Sequence, residues 1–289
     1  MSCSCFMTRS VFHVMFVLLL FAVSVSCDEQ EGSGNHTTSP VADGTYPNYM
    51  VPVWKDKMIA HANNLTEDGI SIFLDCMRTG YKYRLVAFQG CRIVGLLANF
   101  DRAKYGDEIR ERVAKLGGIA ATTMAMGSHM VSAKVQSMGC FAIQALADGH
   151  RKHTHEAINL GAVDVVTWVL KHHGSLDAEI AEYCSAAVAS LAYDPLGASR
   201  LGQAGAVDAI IASMKAHLSK KPEIQIYSCA ALQRLMGGDQ RNLERVKQNK
   251  HAIFAIVDAI KTFNSHPTVV SICGGLIQSN SNTYLPPKA

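Results

Sequence analysis

Ser199-Arg200-Leu201-Gly202-Gln203-Ala204-Gly205-Ala206-Val207-Asp208-Ala209-Ile210-Ile211-Ala212-Ser213-Met214 sets one glycine, Gly205, between two stripes of apolar residues at helical spacing. Its centre, Ala204-Gly205-Ala206-Val207, returns upstream as Leu160-Gly161-Ala162-Val163 and again as Leu116-Gly117-Gly118-Ile119, so the glycines fall 44 residues apart twice in succession. Asp68 fills the same place 49 residues before Gly117, and His251 fills it 46 residues after Gly205. Five units therefore share one plan, and a period of this length marks a repeat architecture.

After each turn an apolar triplet recurs at i, i+3 and i+7: Ile70, Phe73, Met77; Ile119, Thr122, Met126; Val163, Val166, Leu170; Val207, Ile210, Met214; Ile253, Ile256, Ile260. That spacing writes one face of a helix, with Thr122 as its polar exception. Glycine suits a sharp bend between helices because it takes a positive φ without strain. On an unchanged backbone, His251 in that slot costs about 1 kcal/mol. A second register places Cys91, Cys140, Ser185, Cys229 and Cys273 in one column, followed six residues later by Leu97, Leu146, Leu191 and Leu235. Each unit thus holds a short helix, a turn, a second helix and a long third helix, as in 195–203, 206–218 and 222–236. No such unit buries its own apolar faces, so the units stack in series around one continuous core.

The cysteine column reads as core packing, because Cys is small, apolar and among the most buried side chains. Packed helices lie about 8 to 10 Å apart, whereas a disulfide needs Cα atoms within about 7 Å. The column, with Cys76 and Cys184, is expected to stay reduced, and bonded thiols or β-strands would count against the stack. Spacings near 44 residues also differ from the close ligand pairs of a zinc site.

Before the repeats, residues 1–27 read as a signal peptide or signal anchor: Arg9 precedes an apolar run of about 15 residues from Val11 to Val25, then Ser24, Ser26, Cys27 and the acidic Asp28, Glu29 and Glu31. The run is shorter than the ~20 residues a spanning helix needs, which favours cleavage; uncut, it would tether the chain to a membrane. Residues 28–50, rich in Gly, Ser, Thr and Pro, read as a flexible linker, 51–281 as the repeat domain and 282–289 as a tail. Asn35-His36-Thr37 and Asn64-Leu65-Thr66 are acceptor sequons for N-glycosylation at Asn35 and Asn64 on such a route.

The 289 residues carry 27 Lys plus Arg against 24 Asp plus Glu, a net charge of +3 that gives no electrostatic footprint for nucleic acid. With 48% hydrophobic residues the chain has the material for a large core that needs no metal or disulfide to hold it. No Gly-x-Ser-x-Gly elbow, phosphate-cradling Gly-Lys-Ser/Thr loop or dinucleotide fingerprint occurs.

The stretch from Ser199 to Met214, together with Cys184-Ser185-Ala186-Ala187-Val188-Ala189-Ser190-Leu191-Ala192, resembles the second-helix and third-helix signatures of armadillo repeats. The resemblance runs from about Lys55 to Asn280 and is clearest from Arg112 to Met236. It implies an all-α, right-handed superhelical solenoid of about five three-helix repeats, which binds a partner protein or extended peptide along a concave groove of third helices. Family members that grip basic nuclear-import peptides carry Asn and Trp ladders there. The matching places hold Leu96, Ala145, Ser190, Arg234 and Gln278 for Asn, and Arg92, Phe141, Ala186, Ala230 and Gly274 for Trp, so both ladders are missing. Seven residues before the Asn places stand Gln89, Met138, Tyr183, Tyr227 and Ser271, and offsets of 0, 4 and 7 share a helical face. Arg92, Phe141, Tyr183, Tyr227 and Arg234 are the large side chains of this floor, and aromatics with Arg dominate binding hot spots. A Tyr or Phe at helical spacing is equally compatible with ordinary packing.

A second reading starts from His150, His153 and His155, with His172 and His173 further on, since His residues two to three apart can share a metal. His155-Glu156-Ala157-Ile158-Asn159 approaches a zinc hydrolase helix, but Asn159 stands where the second His is required. The cluster falls between a third helix and the next first helix, where solvated polar residues are ordinary. Lys215, His217, Lys220 and Lys221 read likewise as a solvated connection. The expectation is a non-catalytic protein-interaction scaffold of the secretory pathway, without cofactor or metal. The rival readings are a cytosolic or membrane-tethered armadillo adaptor and a metal-binding or hydrolytic protein built on the His150, His153 and His155 cluster.

Overall fold

A computed structural model describes residues 67–100 and 107–279. The leader, the linker, the tail, Cys3, Cys5, Cys27 and both sequons lie outside the described residues. Among those described there is no strand, and fourteen helices follow one another: α1 (Glu67–Gly80), α2 (Arg84–Ala98), α3 (Glu108–Lys115), α4 (Gly118–Ser128), α5 (Ala133–Ala147), α6 (Arg151–Asn159), α7 (Ala162–His173), α8 (Ala178–Leu191), α9 (Pro195–Ala204), α10 (Ala206–Ala216), α11 (Pro222–Gly238), α12 (Gln240–Gln248), α13 (Ala252–Thr262) and α14 (Pro267–Ser279). Units 2 to 5 each supply a short, a second and a third helix, and unit 1 supplies α1 and α2. None of these helices is long and apolar enough to cross a membrane.

Local chemistry sets the helix ends. Asp177 accepts hydrogen bonds from the amides of Glu179 and Ile180 at 2.8 and 3.1 Å, and Asp194 accepts one from Leu196 at 2.8 Å ahead of Pro195. Each answers an amide that the first turn leaves without a partner. Gly117, Gly161 and Gly205 take φ of 88, 83 and 95°, as the turn requires. The outer two units differ. Asp68 lies within the first turn of α1. His251 sits at φ −98°, and its amide donates to the Asn249 side chain, so the last unit replaces the glycine bend with an Asn turn and escapes the strain expected of His251.

The triplets of second helices α1, α4, α7 and α10 are all buried, Thr122 included, because its hydroxyl donates to the Gly118 carbonyl at 2.8 Å. In α13 Ile256 is buried, while Ile253 and Ile260 stay half-buried and Phe254 is 64% exposed, since no described sixth unit covers that end. Polar side chains join the units at matching places. Gln136 and Gln225, both wholly buried, donate to the last carbonyls of α4 and α10, at Met126 and Met214. His129 and His217 reach back to the carbonyls of Tyr81 and Gly174 in the preceding unit at 2.8 and 2.9 Å.

The thiols overturn the expectation of a reduced column. Cys140 of α5 bonds Cys184 of α8, and Cys229 of α11 bonds Cys273 of α14, with Cα separations of 4.9 and 5.3 Å. The distance between helix axes was the wrong yardstick, because residues on facing surfaces stand closer than axes do. Small residues such as Ser185 and Ser228 let these surfaces approach. Contact falls one residue off the column at Cys140–Cys184 and at Ser185–Ser228, and on the column at Cys229–Cys273. Ser185 accordingly accepts a hydrogen bond from Ser228 at 3.3 Å between the two bonded pairs. Cys91 of α2 bonds no other thiol and stays free, and burial pushes its own thiol up to about 12. The bonds join successive third helices and so hold the stack in register instead of contradicting it.

Each bond closes a loop of 44 residues. In the chain-entropy account that contributes about 4 kcal/mol, with about 2 to 4 kcal/mol the usual yield. Reduction, or Cys229→Ser with Cys273→Ser, should lower the unfolding free energy measured by urea denaturation by an amount of that order. Cys91 should alkylate only after unfolding.

Candidate functional site

The third helices α2, α5, α8, α11 and α14 line up as one ladder, and the sequence-predicted floor residues lie on it. Arg92 is half-buried, and burial pulls its guanidinium below the ordinary arginine range. Phe141 and Tyr183, on adjacent helices, are brought together with ring centroids 5.3 Å apart at 49°. Tyr183 and Tyr227 are half-buried; burial first, and then the carboxylate of Glu182, raises both phenols above their usual range. Lys221 pairs with Glu182 at 3.1 Å beside them.

Arg234 is tied into the ladder itself. Its Nη1 donates to the Ala189 carbonyl of α8 at 2.9 Å and stands 3.9 Å from Asp148, and the guanidinium lies 5.9 Å from the Tyr193 ring centroid. Of the other floor places, Gln89, Ala145, Ala186 and Ser190 are buried, Leu96, Met138, Ala230 and Gly274 are half-buried, and Ser271 and Gln278 are exposed. The face is therefore shallow, with Phe141, Tyr183, Tyr227 and the two arginines as its relief.

The histidine cluster comes apart in space. His155 is exposed, 4.0 Å from Asp194, in an open depression lined by Arg151, Lys152 and Pro195. His172 stacks on Trp168 with centroids 4.1 Å apart, and His173 meets the same ring edge-on. His217, expected in a solvated connection, is buried by its bond to Gly174. His150 and His153 instead join residues of the preceding unit. His150 caps α6 and His153 lies in its first turn, 2% exposed, while Asp107, Arg110 and Glu111 come from the start of α3.

At this corner His150 Nε2 lies 2.9 Å from Asp107 and its Nδ1 lies 3.2 Å from Glu111. His153 Nε2 lies 3.3 Å from the other Glu111 oxygen, and its Nδ1 lies 3.0 Å from the Leu146 carbonyl. The rings stack at 4.9 Å, 11° from parallel. Arg110 donates to Asp107 and to the Asp148 carbonyl, and that bond to Asp107 holds the carboxyl below the usual carboxylate range; partial burial opposes the effect and His150 adds to it. Sequence reading missed Asp107 and Glu111. One repeat length of 43 residues before His150 and His153 stand Asp107 and Arg110, and that offset was the available signal.

No family profile and no curated protein sequence matches the chain. Solved structures do match in shape. An engineered protein superposes with a TM-score of 0.62 at 14% identity, covering 82% of this chain and 94% of its own. A designed armadillo repeat protein gives 0.59 at 15%, covering 84% and 95%. Computationally designed armadillo repeat proteins for modular peptide recognition give 0.59 at 14%, covering 81% and 94%. The chain has an armadillo-like helical-repeat fold.

Since Arg234 satisfies a backbone carbonyl, Arg234→Ala should destabilise the chain by about 1 kcal/mol. Chemical denaturation checks this, and Arg234→Lys should recover part of the loss.

Proposed function

We propose that this chain is a non-catalytic scaffold of the secretory route that holds a partner protein or extended peptide along its third-helix face. The observation that carries the reading is the unbroken ladder of third helices with Phe141, Tyr183 and Tyr227 half-exposed along it and Arg92 and Arg234 beside them. Half-buried aromatics on a rigid support lose little freedom on binding, and the arginines favour partners with acidic side chains. The designed proteins of like fold that are described as made for modular peptide recognition support a peptide or protein partner. The charge of +3 lends no support to nucleic acid. A membrane enters this reading only through residues 1–27 if they are uncut.

Two disulfide pairs support the route, because such bonds persist in oxidising compartments and are rare in the cytosol. Translation with microsomes should cleave the leader and add glycans at Asn35 and Asn64; an uncleaved, unglycosylated or untranslocated product would overturn the corresponding part.

Tyr183→Ala with Tyr227→Ala should weaken capture of partners in proximity labelling at least ~10-fold, in line with two hot-spot aromatics. Helicity by circular dichroism should be unchanged. Undiminished capture would remove this face from the binding role.

A further inference from the structure

Glu111 of α3 and His150 and His153 of α6 each turn one ligand atom to a common point, and those three atoms lie within 4.8 Å of one another. We infer that this corner binds a divalent transition metal, with zinc as the reference ion, through Glu111, His150 Nδ1 and His153 Nε2. The inference is independent of the partner-binding reading above.

Hydrogen-bond arithmetic carries the argument. A neutral imidazole donates from one nitrogen only. His153 Nδ1 faces the Leu146 carbonyl at 3.0 Å, an oxygen that can only accept, so the ring's proton belongs there. His150 Nε2 likewise faces Asp107 at 2.9 Å. Both remaining nitrogens then present lone pairs to the Glu111 carboxylate, at 3.2 and 3.3 Å. Lone pairs do not face a carboxylate at that distance without a positive charge between them. Two extra protons would set two imidazolium rings face to face at 4.9 Å. One divalent cation meets both nitrogens and the carboxylate together and leaves the rings neutral.

The two nitrogen–oxygen separations, 3.2 and 3.3 Å, match a zinc shell, and the widest separation among the three ligands, within 4.8 Å, closes by about 1 Å on binding. Zinc holds N and O ligands at about 2.0 to 2.2 Å in a tetrahedron, which places neighbouring ligand atoms about 3.3 to 3.6 Å apart. The supporting bonds are also of the kind metal sites use: a carboxylate behind one His and a backbone carbonyl behind the other fix each ring's tautomer and direction. Asn242 shows what the fold alone asks for at this place. It lies in the first helix of the last unit and bonds the Leu235 carbonyl seven residues back, as His153 bonds Leu146. That need accounts for Nδ1 of His153 and leaves Nε2 unexplained. Three protein ligands leave a fourth position, and Glu111, 52% exposed, turns it toward solvent, where water or a partner's side chain completes the shell.

The test uses full-length, disulfide-bonded protein stripped with a chelator and titrated with zinc sulfate against a chromophoric competitor. One zinc per chain is expected. Glu111→Gln and His150→Gln, both at partly exposed side chains, should each weaken it at least ~10-fold, and His155→Gln should not. Cobalt should give the intense visible absorption of a tetrahedral ion, lost in the same two variants. Failure to retain zinc, or equal affinity in Glu111→Gln and wild type, would overturn the site, whatever becomes of partner capture.

Discussion

No three-helix unit of this chain covers both of its apolar faces unaided, and that incompleteness determines the rest of the molecule. Second helices α1, α4, α7 and α10 hide their triplets because another unit lies against them, whereas α13, at the end of the described stack, leaves Phe254 in solvent. Stability is consequently a property of junctions. The chain invests its polar side chains there: His129 and His217 span to the preceding unit, and Gln136 and Gln225 close the second helices that those junctions press upon.

The repeat plan was legible because glycine, apolar spacing and period agree over three successive units. Gly117, Gly161 and Gly205 are read directly from residue type, since few other residues tolerate the φ they hold. The outer units were legible only by alignment, and there the local solution changed, with Asn249 making a turn that no glycine provides. The thiols were misread for a geometric reason. Periodicity places residues in a column, but it does not say where facing surfaces touch: Cys140 meets Cys184 one residue off the column, while Cys229 meets Cys273 on it.

Helical spacing set the third-helix residues in columns, but it did not give their burial or bonds: Gln89, Ala145, Ala186 and Ser190 of the expected floor are buried. Arg234 bonds the Ala189 carbonyl, which makes it part of the ladder's own structure as well as its surface. The histidine corner illustrates the converse. His150 and His153 stand out in sequence, while Glu111, on the far side of a full repeat, acquires meaning only when consecutive first helices are set side by side.

Disulfides tie α5 to α8 and α11 to α14, whereas α8 and α11 are joined without a covalent bond, by the Ser185–Ser228 hydroxyl pair and the Arg234 bond to the Ala189 carbonyl. Units 2 and 3 are thereby tied covalently, and so are units 4 and 5, while units 3 and 4 meet through noncovalent contacts alone, hydrogen bonds and an ion pair among them. Tyr183 and Tyr227 stand on either side of that uncrosslinked junction, so no covalent bond between their helices fixes the spacing between them.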